Sequence, residues 1–112
     1  MQHTLKNIIT ISGLGIHTGV TTNITLKPAE ENTGIRFKRV DLEGAPTISA
    51  DIDNVFSTER STGLSSGIAE IHTVEHILAA IVGCQIDNVI IEVDNIEIPI
   101  LDGSAKEFTK LI

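Results

Sequence analysis

The chain has 112 residues and a mass of 12.0 kDa, enough for one domain with its own hydrophobic core but not for two. With 41% hydrophobic and 21% charged residues, it belongs among globular chains and not among disordered ones. The formal net charge is -7, and Lys and Arg are scattered along the chain. This charge argues against nucleic acid or an anionic membrane surface as a partner.

The residue types also indicate the kind of core and the compartment. Aromatic residues make up only 3%, so the core must consist largely of Ile, Val and Leu, which favour sheet. Cys84 is the single cysteine and cannot form an internal disulfide; its apolar surroundings favour a buried, inert thiol. No signal-like leader and no apolar run long enough to span a bilayer is visible. We therefore expect a cytoplasmic protein.

Strand patterns dominate the first half of the chain. Residues 4–11 predict a strand that ends at the glycine-rich segment 12–19. Residues 20–26 alternate cleanly, and Pro28 follows them. One face of that strand is predicted to carry Val20, Thr22, Ile24 and Leu26. Residues 35–38 predict a short strand paired with this predecessor, and a further short strand is expected within residues 48–56.

The second half mixes strands with helices. Residues 61–64 and 68–71 flank Ser65-Ser66-Gly67, which predicts a hairpin. Residues 88–93 form a nearly continuous apolar run, typical of a central strand, and are expected to complete a right-handed β-α-β unit with residues 68–71. A second helix is predicted near the end, with the cap Ser104 and the apolar stripe Ala105, Phe108, Leu111 and Ile112. The predicted fold is an α+β two-layer sandwich, a mixed sheet of about five strands with two helices on one face.

The helix predicted over residues 73–84 has two unlike faces. Thr73 is a good N-cap, and Glu75 falls in the first turn, where a negative charge suits the helix dipole. The core-facing stripe is predicted to be Val74, Ile77, Leu78, Ile81 and Val82. The opposite face carries His76, Ala79, Ala80 and Gly83, where a solvated helix would carry Lys, Glu or Gln. We therefore expect something to pack on both sides of this helix.

The start of this helix holds the candidate chemistry. His72-Thr73-Val74-Glu75-His76 matches the H-x-x-E-H pattern of inverted zinc peptidases. That pattern requires His72 inside the helix, whereas a Thr73 cap would leave it outside. A smaller hypothesis needs only His76 as a metal ligand and Glu75 as a base. The plainest alternative is a first-turn charge beside a partly buried histidine.

His17 is a further candidate, because it lies in the glycine-rich segment 12–19. Glycines let a backbone approach a ligand closely, so His17 is in a position to contact one. A surface histidine in an ordinary turn is the equal alternative.

Four segments of the chain, in the same order and spread over nearly its whole length, closely resemble blocks of the UDP-3-O-acyl-N-acetylglucosamine deacetylase family. These zinc enzymes remove the N-acetyl group at the committed step of lipid A synthesis in Gram-negative bacteria. The segments are Ser12-Gly13-Leu14-Gly15-Ile16-His17-Thr18-Gly19, Thr73-Val74-Glu75-His76, Ile86-Asp87-Asn88 and Glu97-Ile98-Pro99-Ile100-Leu101-Asp102-Gly103-Ser104-Ala105.

The resemblance implies roles for three residues. Glu75 is the expected general base, and His76 is expected to be one of three zinc ligands. His17 matches a histidine that lies toward the UDP or phosphate end of the substrate. The other two zinc ligands, a His and an Asp spaced as H-x-x-x-D, belong to a second domain of the family. Thr58, Ser61 and Thr62 fall where the family has a threonine-rich segment close to the metal, but Glu59 and Arg60 depart from the family pattern, so no role is assigned to them.

The resemblance also implies the architecture around the site. Family members stack two α+β domains with their helices facing each other, and the active site forms between them. Residues 1–112 are then the N-terminal domain, with UDP-3-O-acyl-N-acetylglucosamine and the C-terminal domain as partners. Alone, this domain is expected to be inactive and to self-associate through the exposed helical face. The alternative from another class is a non-catalytic interaction domain that uses the same face.

Overall fold

The computed structural model describes residues 2–15, 18–51, 54–57, 62–67, 69–101 and 106–112. These residues form eight strands and two helices. In chain order they are β1 (Ile9–Leu14), β2 (Thr21–Pro28), β3 (Ile35–Arg39), β4 (Thr47–Ser49), β5 (Val55–Ser57), β6 (Thr62–Ser66), β7 (Ala69–His72), α1 (Glu75–Gly83), β8 (Val89–Val93) and α2 (Lys106–Leu111).

The main sheet is mixed and has the strand order β1-β2-β8-β3-β4. The central strand is β8, as its apolar run predicts; it pairs antiparallel with β2 and parallel with β3. The prediction that β3 pairs with β2 is wrong, because β8 lies between them. Val89, Ile91 and Val93 of β8 are fully buried, and a position between two strands shields such a run better than the edge of the sheet would.

One row of apolar side chains crosses the main sheet and forms the base of the core. Across neighbouring strands the row runs Ile9, Leu26, Ile91, Phe37 and Ile48. All but Ile9 are fully buried, and each such burial contributes about 1.5–3 kcal/mol. On β2 the predicted alternation is confirmed at Thr22, Ile24 and Leu26, whereas Val20 lies before the strand and is exposed.

Both helices contribute to this core. Ile77, Ala80 and Ile81 of α1 and Phe108 of α2 are buried in the same cluster as the sheet residues. On β2 the exposed residues Thr21 and Asn23 alternate with the buried residues Thr22 and Ile24. The core therefore lies on one face of the sheet. The α+β architecture with two helices on one face is therefore confirmed. Leu111, predicted to lie in the apolar stripe of α2, is instead 46% exposed, and the predicted Ser104 cap and Ala105 lie outside the described residues.

A second sheet, with the order β5-β6-β7, was not predicted. The hairpin around Ser65-Ser66-Gly67 is confirmed: β6 and β7 pair antiparallel, and Gly67 has a φ of +61°, which glycine adopts without strain. Because β7 belongs to this sheet and β8 to the main sheet, the predicted β-α-β unit does not exist. Pairing with its hairpin partner β6 decides the sheet to which β7 belongs.

The first strand begins and ends later than predicted. The described strand is β1, and Thr4 makes only an isolated parallel bridge to Asn88. The first residues of segment 12–19 continue the ladder, since Gly13 pairs with Thr22 and Leu14 with Thr21. The chain turns after them, where the amide of Gly19 donates to the carbonyl oxygen of Gly15 at 2.9 Å.

Neither described helix has the length and apolarity that a membrane-spanning helix requires.

Candidate active site

Glu75 and His76 are positioned by the junction between β7 and α1. The amide of Val74 donates to the carbonyl oxygen of Thr62 at 3.1 Å, which holds the start of α1 beside the start of β6. Between β7 and the helix, Thr73 has a φ of +62°, a conformation that β-branched residues rarely adopt. The chain therefore turns sharply at Thr73, and both candidate side chains fall in the first turn of α1.

The prediction that Thr73 caps α1 is wrong. The helix begins at Glu75 with Val74 in the cap position, and it has no side-chain cap hydrogen bond. The Thr73 hydroxyl instead donates to Oε2 of Glu97 at 2.7 Å, and both residues are buried. A buried carboxylate requires hydrogen-bond donors, and that requirement prevails over the local preference of threonine for a cap.

The two oxygens of the Glu75 carboxylate have different surroundings. Oε2 accepts a hydrogen bond from the amide of Thr62 at 2.9 Å. Oε1 is buried and has no hydrogen-bond partner among the described residues. A buried polar atom without a partner destabilises the fold by about 1–3 kcal/mol. Glu75 is therefore oriented through Oε2, and Oε1 is the atom for which the described residues supply no hydrogen-bond donor.

His76 is half-buried beside Glu75 and is the metal-ligand candidate. A neutral imidazole suits zinc, but a zinc site takes three or four protein ligands. Within the part of the chain that the structure describes, no group of three or more His, Cys, Asp or Glu side chains could hold a metal ion. The donor set here therefore fits a single ligand with a carboxylate beside it, and a complete site would need ligands from elsewhere.

His72 does not share a helix with His76. It is the last residue of β7, and its Nε2 atom lies 3.0 Å from Oε1 of Glu70. Its ring packs edge-on against Phe56, with 5.3 Å between the ring centroids. The H-x-x-E-H pattern requires both histidines on one helical face, so the peptidase hypothesis is not supported by the structure.

Glu97 is a buried acidic residue that the sequence analysis did not single out. Its side chain is fully shielded from solvent, and its Oε1 atom accepts a hydrogen bond from the amide of Thr18 at 3.0 Å. It therefore contacts the segment that carries His17, which itself lies outside the described residues, as do Thr58 and Ser61. The signal in the sequence was a charged residue inside the apolar run from residue 96 to 101.

The outer face of α1 differs in part from its prediction. Ala79 and Gly83 are exposed as expected, but Ala80 is buried and Val82 is 66% exposed. We refer to Ala79, Val82 and Gly83 as the outer face of α1. It carries no charge, so the unusual surface that the sequence predicts is present with Val82 in place of Ala80. Cys84, expected to be buried, is half-buried just after the helix.

Comparison with known proteins identifies relatives across the whole described fold. Residues 2–112 match the family model described as UDP-3-O-acyl N-acetylglycosamine deacetylase. The UDP-3-O-acyl-N-acetylglucosamine deacetylase of Geobacter sp. (strain M21) is 50% identical over 111 residues, which cover 99% of this chain and 36% of the relative. The enzyme of the same name from Trichormus variabilis is 47% identical, and the match covers 99% of this chain and 40% of that protein.

This chain corresponds to a smaller share of a bifunctional relative. The bifunctional enzyme LpxC/FabZ of Porphyromonas gingivalis is 49% identical over 111 residues, which cover 99% of this chain and 24% of that protein. The chain thus spans between about a quarter and two fifths of the length of these curated relatives. Since the family model matches all but the first residue, this chain belongs to the UDP-3-O-acyl N-acetylglycosamine deacetylase family.

Proposed function

We propose that residues 1–112 are the N-terminal domain of a longer, two-domain deacetylase, which hydrolyses the N-acetyl group of UDP-3-O-acyl-N-acetylglucosamine in lipid A synthesis. The family match supports the reaction, and the small share of each relative that the chain covers supports a longer protein. The observation that carries the proposal is the Glu75 carboxylate, whose buried Oε1 atom has no described hydrogen-bond partner and lies in the same helical turn as His76.

In this proposal Glu75 is the general base. The amide of Thr62 holds Oε2, so that Oε1 takes a proton from the water that attacks the acetamide carbonyl. The C–N bond of the amide then breaks, and the proton taken from water passes to the leaving nitrogen, giving acetate and a free amine. Because the carboxylate is anchored through one oxygen, it need not reorganise before the proton transfer.

His76 is proposed as one of three zinc ligands. Its imidazole lies half-buried in the first turn of α1, and the remaining ligands come from the second domain. When bound, zinc makes water more acidic and polarises a carbonyl group, which are the two effects that amide hydrolysis needs. His76 contributes a neutral nitrogen donor, and Glu75 remains free to act as the base.

The outer face of α1 is the proposed contact for the second domain. Val82 is 66% exposed between Ala79 and Gly83, and small uncharged side chains let another helix approach closely. Because His76 lies three and seven positions before Ala79 and Gly83, a domain docked there would approach the side of α1 that carries His76. His17, which falls between Gly15 and Gly19 in the sequence, is proposed to face the UDP end of the substrate.

A cytoplasmic location is proposed as well. The single cysteine, Cys84, is unpaired and half-buried, which suits a reducing compartment. Separation of cell fractions with an antibody against this chain would test the location, and recovery in a compartment outside the cytoplasm would contradict it.

The test of the base is the Glu75→Gln variant of the full-length protein. We expect kcat to fall by about 10²–10⁴-fold, the usual contribution of a general base, with zinc content unchanged. Glu70→Gln is the control, because Glu70 is an exposed glutamate of the same region that contacts His72 and not the site. Wild-type turnover by Glu75→Gln would contradict the proposal, and loss of zinc would make Glu75 a ligand instead of the base.

The runner-up is a non-catalytic interaction domain, which the uncharged outer face of α1 also supports. In that case the full-length protein would release no acetate from the substrate. It would instead bind a partner through α1, and Val82→Lys would abolish that binding.

A further inference from the structure

We infer that Glu97 is a positioning residue that joins two parts of the site. On one side lies the turn closed by the hydrogen bond between Gly19 and Gly15, and His17 falls between these two residues in the sequence. On the other side lies the β7–α1 junction, which carries Glu75 and His76. The inference rests on the proposed function for its role in the reaction, while the link between the two segments rests on geometry alone.

The burial of Glu97 is the first argument. Its side chain has no exposed surface, and its neighbours Ile98 and Pro99 are buried as well. Taking a carboxylate out of water is unfavourable unless its oxygens are hydrogen-bonded. A residue needed only for packing would be apolar at this position. The carboxylate is therefore explained by the hydrogen bonds that it accepts.

The two oxygens of Glu97 reach opposite partners. Oε1 accepts the hydrogen bond from the amide of Thr18 at 3.0 Å, and Oε2 accepts the hydrogen bond from the Thr73 hydroxyl at 2.7 Å. Hydrogen bonds to a charged acceptor are shorter and stronger than those between neutral groups. One buried carboxylate thus connects a loop and a helix start that are more than 50 residues apart in sequence.

Gly15 and Thr18 of this turn lie against Glu97. The ends of the turn are closed by hydrogen bonds from the amide of Gly15 to the carbonyl oxygen of Val20, at 3.0 Å, and from Gly19 to Gly15, at 2.9 Å. A Cβ atom added to Gly15 would overlap Oε1 of Glu97, so only glycine allows this approach. The backbone at Gly15 and Thr18 therefore packs directly against the carboxylate.

The β7–α1 junction is also held close to Glu97. The amide of His72 donates to the carbonyl oxygen of Ile96 at 2.7 Å, and the amide of Ile98 donates to that of His72 at 3.1 Å. These two bonds keep Glu97 in register with the end of β7. The Thr73 hydroxyl bond then fixes the residue with the unfavourable φ of +62°, two positions before Glu75. A change at Glu97 would therefore shift Glu75 and the turn relative to each other.

The rate of the reaction depends on where the reacting groups lie. Misplacement of a reacting group by about 1 Å can lower a rate by about 10²-fold. If the turn binds the substrate and Glu75 removes the proton, Glu97 sets the distance between these two functions. In this inference Glu97 acts through the backbone of Thr18 and the hydroxyl of Thr73.

The test uses the full-length protein with three variants, two at Thr73 and one at Glu97. Thr73→Val removes the hydroxyl but keeps the shape of the side chain, Thr73→Ser keeps the hydroxyl, and Glu97→Gln removes the charge. We expect Thr73→Val and Glu97→Gln to lower kcat/KM by about tenfold or more, with zinc content unchanged. Thr73→Ser is expected to restore most of the activity, and Glu97→Gln to raise KM as well as lower kcat.

The control is Glu92→Gln, a half-buried glutamate of β8 whose carboxylate pairs with Lys27 at 3.0 Å. It is expected to keep wild-type kcat and KM. A role of Glu97 in stability alone would lower the melting temperature and leave kcat and KM of the folded enzyme unchanged. That result, or equal activity of Thr73→Val and Thr73→Ser, would overturn the inference.

Hydrogen exchange tests the link without relying on activity. The amide of Thr18 donates to a buried side chain, so it should exchange slowly in the wild-type protein and faster in Glu97→Gln. If the wild-type protein releases no acetate, the proposed function fails, and the exchange rate alone decides whether the link exists. If the wild-type enzyme is active but Thr18 is unprotected and Thr73→Val has full activity, only the inference fails.

Discussion

At the scale of single residues, Arg39 is the buried charge that joins the two sheets. Its Nε and Nη2 atoms donate to the two oxygens of Asp41 at 2.9 and 2.7 Å, and Nη1 donates to the carbonyl oxygen of Glu70 at 2.8 Å. Arg39 ends β3 of the main sheet, and Glu70 lies in β7 of the second sheet. The Arg39 hydrogen bonds, followed by its charge, hold the pKa of Asp41 below the ordinary value of 3.8.

This pair predicts a pH-dependent contribution to stability. Because the folded pKa of Asp41 is depressed, the stabilisation is present above the unfolded pKa and is lost as the pH falls through the folded pKa. We expect Asp41→Asn to lower the free energy of unfolding by about 1–3 kcal/mol at pH 7, because Arg39 then loses its charged partner. In urea denaturation the difference from the wild type should shrink at acidic pH.

The control for that prediction is Asp51→Asn. Asp51 is exposed, and among the described residues no arginine pairs with its side chain as Arg39 does with Asp41. Its free energy of unfolding should stay within about 0.5 kcal/mol of the wild type. Equal stability of Asp41→Asn and the wild type at pH 7 would show that the pair contributes nothing.

At the scale of elements, α1 has one face committed to the core and one that is not. Ile77, Ala80 and Ile81 are buried, whereas Val82 is 66% exposed with Ala79 and Gly83. Val82 with the small side chains around it leaves an uncharged surface that another helix can approach closely. The core covers the inner face of α1, so the outer face is the one that a second domain or a second copy of the chain could contact.

The outer face predicts the behaviour of the isolated 112-residue chain. We expect the wild type to self-associate and to bind a hydrophobic dye. Val82→Lys should reduce both, because a charge in this face must be desolvated on contact. The readouts are sedimentation and dye fluorescence, with unfolding measured alongside. Val40→Lys is the control, since Val40 is 43% exposed and lies outside the helix. A wild type that is monomeric and binds no dye would contradict this prediction.

Periodicity and apolar runs predicted several elements well, because burial acts directly on residue type. The alternation at Thr22, Ile24 and Leu26 and the central position of β8 are confirmed. Strand partners could not be predicted in the same way, since the sequence of β3 contains nothing that distinguishes β2 from β8 as a neighbour. The second sheet was missed for the same reason.

Prediction of the site from the sequence was limited because some of its contacts join residues that lie far apart in the chain. Thr73 has the residue type of a helix cap, but Glu97, 24 positions away, accepts its hydroxyl hydrogen. That contact moves the start of α1 to Glu75 and could not be read from the local pattern. The placement of Glu75 in the first turn is nevertheless confirmed, because an acidic residue suits a helix N-terminus whichever residue caps it. The roles of Glu75, His76 and His17 stay predictions.

At the scale of the whole molecule, the described chain contains one part of a proposed site. Glu75 supplies a carboxylate oxygen without a described partner, and His76 supplies one nitrogen donor. Zinc sites need more ligands than this, and affinity rises with their number and pre-organisation. The relatives are roughly 2.5 to 4 times as long as this chain, so the proposed second domain has room to supply further ligands.

The most direct test measures zinc-dependent acetate release from UDP-3-O-acyl-N-acetylglucosamine by two proteins, the proposed full-length protein and the isolated 112-residue chain. We expect turnover by the full-length protein, loss of that turnover on removal of zinc, and none above background from the isolated chain. Turnover by the isolated chain, or its absence from the zinc-loaded full-length protein, would contradict the proposed division of the site between two domains.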